Sequence, residues 1–72
     1  MRIIVNGKAD EWDGTAISIA DILIKNNVKK LEMVSVQLNE KFINQDQFTT
    51  TNAKENDEID FIYFMGGGQK IY

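Results

Sequence analysis

Only one short stretch of this chain has the spacing of a helix, and nearly every other apolar run alternates. Ile19, Ile22 and Leu23 recur at i, i+3 and i+4, an apolar stripe that must lie against something flat. Ser18 before them is placed as an N-cap, with Asp21 three residues on as a capping-box acid, although Asp is a weaker box partner than Glu. Ile17 and Ile22 suit a hydrophobic staple across that cap, and Asn26-Asn27 is a reasonable stop. A single helix with one apolar face needs a sheet to cover.

The sheet is written in the alternating runs. Arg2 to Val5 is β-branched and apolar, and Asn6-Gly7 behind it predicts a type I′ hairpin turn, because both central positions of that turn need positive φ. Lys8 to Trp12 is then the returning strand. Parity puts Met1, Ile3 and Val5 on the core face and Arg2, Ile4 and Asn6 on the other. Val34 to Leu38 alternates cleanly, Asn39-Glu40 turns the chain, and Lys41 to Ile43 is a short partner strand. Asn44 to Asn56 is polar, a loop with one helical turn near Asp46 to Phe48 and Phe48 as its lone large anchor. Asn56-Asp57 leads into the last strand, Glu58 to Phe64, with Ile59 and Phe61 toward the core and Ile62 and Phe64 toward the open face. The order β-β-α-β-β-β predicts an α+β architecture of the β-grasp type, a mixed four- to five-stranded sheet with one main helix across one face.

Size and composition narrow the chemistry. A chain of 72 residues forms one domain and buries only roughly 60% of its unfolded surface, which leaves little room for a deep catalytic pocket. There is no Cys and no His, so thiolate nucleophiles, disulfides and the commonest general base and metal ligand are missing. The acidic cluster Asp10, Glu11 and Asp13 lacks the ligand spacing of a calcium loop and reads as a solvated hairpin end, so no metal site is expected. A net charge of −3 offers no basic footprint for nucleic acid and disfavours anionic membranes. With no signal-peptide pattern and no long apolar run, the expected setting is the cytoplasm, the expected state a monomer on its own, and the expected partners are proteins.

The last strand empties into Gly66-Gly67-Gly68 and continues for four residues, Gln69-Lys70-Ile71-Tyr72. Residues 1–65 are therefore expected to form the domain and 66–72 a flexible C-terminal tail, slim enough at its glycines to enter another protein's site. On the open face, Ile4, Ile62 and Phe64 are expected to form a partner-docking patch.

Together the opening Met1-Arg2-Ile3-Ile4-Val5-Asn6-Gly7, the helix start Ser18-Ile19-Ala20-Asp21-Ile22-Leu23, the central Val34 to Glu40 and the close from Asn56 to Gly68 resemble the thiamine-biosynthesis sulfur carrier family, ubiquitin-like β-grasp proteins of about this length. The resemblance implies a protein carrier and cosubstrate, not an enzyme, with no bound cofactor. An adenylating, E1-like activating enzyme would use ATP to activate the carboxylate of Gly68, which would become a thiocarboxylate and pass its sulfur to an accepting synthase. Gly66 and Gly67 would thread the channel. The departure from the family pattern is the extension after Gly68: an amide to Gln69 leaves Gly68 without a carboxylate, so the resemblance implies a processing protease cutting between Gly68 and Gln69. A carrier for another thio-product (an amino acid, a siderophore or molybdopterin) and a plain β-grasp binding module are the alternatives.

Overall fold

The computed structural model describes the main chain of residues 1–65 and 69–71 and the side chains of residues 1–63. Strand β1 (Arg2–Val5) turns through Asn6 and Gly7, at φ of 49° and 83°, into β2 (Lys8–Glu11). This is the type I′ geometry that Asn-Gly supplies at low steric cost. A short strand β3 (Ile17–Ser18) precedes helix α1 (Ile19–Lys25). Then come β4 (Val34–Leu38), β5 (Lys41–Ile43), β6 (Asn52–Ala53), β7 (Glu58–Met65) and β8 (Gln69–Ile71). The main sheet runs β2-β1-β7-β4-β5, with β1 and β7 parallel and the other neighbours antiparallel. The fold is the expected α+β one, a mixed sheet with one main helix.

Helix α1 covers the sheet because its stripe is fully apolar: Ile19, Ile22 and Leu23 are each 0% exposed. They join Ile3, Val5, Val36, Ile59, Phe61 and Tyr63 from the sheet in one core. Seven residues make a marginal helix in isolation, so its ends need partners. Ser18 Oγ accepts from Asp21 N–H at 3.1 Å, and the first two helical N–H groups, of Ile19 and Ala20, donate to the carbonyls of Thr51 and Phe48 at 3.0 and 2.9 Å. Asn26 caps the other end and Asn27 follows at a φ of 68°, the left-handed position that Asn tolerates.

The polar segment 44–56 is therefore more than a connection. It holds the expected helical turn, Gln45–Gln47, followed by the anchor Phe48 at 2% exposure, and it also holds β6, which pairs antiparallel with β3. This two-stranded ribbon was not expected from the sequence, since two residues carry no periodicity. On the far side, Lys25 Nζ sits 2.8 Å from Asp10 Oδ1 and 4.4 Å from the centre of the Trp12 ring, while Trp12 Nε1 donates to Asp10 Oδ2 at 3.0 Å. That cluster ties β2 to the end of α1 by an ion pair and a cation–π contact.

Strand β7 runs through the middle. Its parity is the expected one: Ile59, Phe61 and Tyr63 are buried, while Glu58 and Asp60 are exposed and Ile62 is half-buried. The strand also continues one residue past Phe64, to Met65.

Candidate functional site

Two features lie along β7, the open face beside it and the segment that follows it. The open face carries a shallow hollow lined by Asn6, Ser35, Gln37, Phe42, Asp60 and Ile62. Strand register explains the grouping. Ser35 pairs with Ile62, and Gln37 pairs with both Asp60 and Phe42, so these residues share the face away from α1. Phe42 stands there 72% exposed, a large apolar ring with no cover among the described residues.

The expected patch of Ile4, Ile62 and Phe64 is distributed differently. Ile4 pairs with Glu58, four positions before Ile62 on the neighbouring strand, so the two isoleucines are about 13 Å apart along the sheet. Both are half-buried, and Ile4 does not line the hollow. Phe64 belongs to β7 by its main chain, and its side chain lies outside the described residues. What the sequence reading missed is Phe42. The signal was present, because Ile43 beside it faces the core opposite Val36, which leaves Phe42 on the other face.

Gly66, Gly67 and Gly68, the residues expected to thread a channel and carry the reactive carboxylate, lie outside the described residues, as does Tyr72. Their flanks are described. Gln69, on the far side of the expected Gly68/Gln69 cut, begins β8, which pairs antiparallel with β7 through Met65↔Gln69, Phe64↔Lys70 and Tyr63↔Ile71. Gln69–Ile71 thus forms a strand, a pairing that the expectation of a free tail over 66–72 did not include. Three polar-apolar residues are too few to announce a strand by pattern.

The main chain of β7 shows which edge β8 occupies. Ile4 and Asn6 N–H donate to the carbonyls of Asp57 and Ile59, both at 2.9 Å, and Phe61 N–H donates to Asn6 Oδ1 at 2.8 Å. The odd-numbered residues of β7 therefore turn their polar groups to the β1 edge, while Asn39 N–H takes the Glu58 carbonyl at 2.8 Å on the β4 edge. Tyr63 pairs with β4 on one side and β8 on the other. So β8 extends the edge that β1 leaves after Ile59. Among the described residues no group of His, Cys, Asp and Glu is placed to hold a metal ion, and no helix is long and apolar enough to cross a membrane.

The described residues form a small β-grasp domain with an open sheet face, and in the sequence its central strand runs into three glycines. Residues 3–68 match the ThiS family, and the chain belongs to that family. Its fold is also that of two solved structures from Geobacter metallireducens. One is a crystal structure of a thiamine biosynthesis protein, ThiS, at 36% identity and a TM-score of 0.77, covering 94% of this chain and all of the other. The other is a solution NMR structure of a thiamine biosynthesis protein, at 34% identity and a TM-score of 0.76, covering 100% of this chain and 94% of the other. No curated protein sequence matches. The family match stops at Gly68, so Gln69 to Tyr72 fall beyond it.

Proposed function

We propose that this protein is a sulfur carrier for thiamine thiazole synthesis, made as a precursor and activated by removal of its last four residues. Hydrolysis of the Gly68–Gln69 amide adds one water, leaving a carboxylate on Gly68 and releasing Gln69 to Tyr72 with a new amino terminus. An activating enzyme then brings ATP. A Gly68 carboxylate oxygen attacks the α-phosphorus, the bond to the β-phosphate oxygen breaks, and pyrophosphate leaves. The resulting acyl adenylate is attacked by a donor of sulfur at the oxidation level of sulfide. AMP departs, and Gly68 carries a thiocarboxylate whose sulfur a synthase takes.

The single observation that carries this reading is the family match over residues 3–68, which ends on the third glycine with four residues still to come. The chemistry agrees with the composition, because a carrier of this kind supplies a carboxylate and needs neither a His nor a Cys of its own. Glycine at the reacting end has no Cβ and fits a narrow channel. The hollow beside Phe42 and Ile62 is the surface on which an activating enzyme would hold the domain while the tail reaches its site.

The test is the intact mass of the protein isolated from its native cell. The expected species lacks Gln69 to Tyr72, with a fraction in which one oxygen is replaced by sulfur. A full-length chain under every growth condition overturns the carrier reading and leaves a binding module.

A further inference from the structure

The pairing of β8 with β7 places one constraint on any route to the segment between them. Met65 and Gln69 are opposite partners, and such pairs hold their Cα atoms about 5.5 Å apart. The same two residues in an extended chain, four steps apart, lie about 13 Å from each other. The chain can be paired through β8 or drawn out into another protein's cleft, and never both at once. Peptidases and other enzymes that act on a chain end take the segment extended, as an added strand or a threaded tail.

We propose that Gln69–Ile71 is a self-made strand cap, an autoinhibitory contact that must unpair before the chain around residue 68 can be cut or activated. The cap satisfies the outward main-chain groups of Tyr63 and Met65, the odd residues of β7 that β1 does not reach. Like the edge strand β5, β8 is held by only three residue pairs on one side, so it is one of the two strands of the main sheet that open at least cost. The inference deepens the precursor reading, because the four residues absent from the family match are then both the leader to be removed and the lock that delays removal. It also makes the strand edge of Tyr63 and Met65 available only after processing, as an exposed edge able to take a partner's extended segment.

The cap is tested without any activating enzyme, so its failure is separate from failure of the carrier reading. Because the odd residues of β7 face this edge, Phe64↔Lys70 is the close, non-hydrogen-bonded pair, with Cα atoms about 4.5 Å apart. The full chain is expected to show a strong cross-strand contact between the Hα protons of Phe64 and Lys70 by NMR. Tyr63 and Met65 amides are expected to exchange about tenfold or more faster in a chain ending at residue 68, while Phe61, held by Asn6, is unchanged. Absence of the Hα contact, or equal exchange in the two chains, overturns the cap.

A covalent lock tests the consequence. The protein has no Cys, so the double variant Phe64→Cys/Lys70→Cys has one intramolecular disulfide available to it. Oxidised, it is expected to resist proteinase K between residues 65 and 72 about tenfold longer than when reduced, with cuts read by mass. Equal cutting of oxidised and reduced chains would show that pairing does not guard the segment.

Discussion

The two ends of β7 are built on opposite terms. At its beginning the strand is gripped from every side. Asn39 N–H and Asn39 Oδ1 bond Glu58 at 2.8 and 2.9 Å, the Asp57 and Ile59 carbonyls take β1, Asn6 Oδ1 takes Phe61 N–H, and Ile59 is 0% exposed. At its end the strand has β4 on one side and, on the other, only the three residues of β8. The first half is a fixture of the core and the second is a departure point. Under the proposed function the domain presents its chain end, and this asymmetry keeps load on that end from being transmitted into the fold.

The beginning of β7 carries the largest expected effect. Ile59→Ala is expected to cost about 2–5 kcal/mol, because it opens a cavity where the helix and sheet meet. Chemical denaturation reads it directly, and a loss under about 1 kcal/mol, the scale of an exposed site, would mean that the beginning of β7 is not part of the core.

Asn6→Ala is the next test. It removes the acceptor for Phe61 N–H and places a residue with a Cβ and no stabilising amide at φ 49°, for a loss of about 1–3 kcal/mol. Faster amide exchange at Phe61 should accompany the loss. Unchanged exchange there would show that Asn6 serves its turn and not the strand.

Much of this was legible in the sequence. The Asn6-Gly7 turn, the Ser18 cap, the Asn26-Asn27 stop and the inward parity of Ile59 and Phe61 follow from local stereochemistry and two periodicities, and each is found. Asn39-Glu40 turns the chain as expected, through φ of 50° and 71°. What stayed hidden depends on contacts distant in sequence. The β3–β6 ribbon and the capping of Ile19 and Ala20 by Thr51 and Phe48 join segments some thirty residues apart. Phe42 was missed because it lies in a strand of three residues, and the spacing between Ile4 and Ile62 on their shared face was not legible because parity fixes the face and leaves position along the strand open.

Smaller effects sharpen the contrast. Glu40→Gly is expected to stabilise the fold by up to about 1 kcal/mol, since relief of the left-handed strain of Glu at φ 71°, about 1–2 kcal/mol, outweighs the roughly 0.4–1 kcal/mol that glycine's extra freedom in the unfolded chain costs. A shift of the denaturation midpoint downward would contradict this. Removing residues 69–72 is expected to change stability by less than about 1 kcal/mol, because the groups of Tyr63 and Met65 it uncovers can turn to water. A loss as large as that of Ile59→Ala would mean that both ends of β7 are structural and the asymmetry is false.

That near-neutral deletion is also the one with the largest chemical consequence, and ATP–pyrophosphate exchange with the activating enzyme measures it. A chain ending at Gly68 offers a carboxylate oxygen to the α-phosphate, whereas the chain through Tyr72 offers an amide at Gly68 and a carboxylate four residues further on, beside a bulky ring. Exchange is expected with the first chain and none with the second until a protease has acted. Equal exchange with both, and the adenylate mapped to Tyr72, would contradict it.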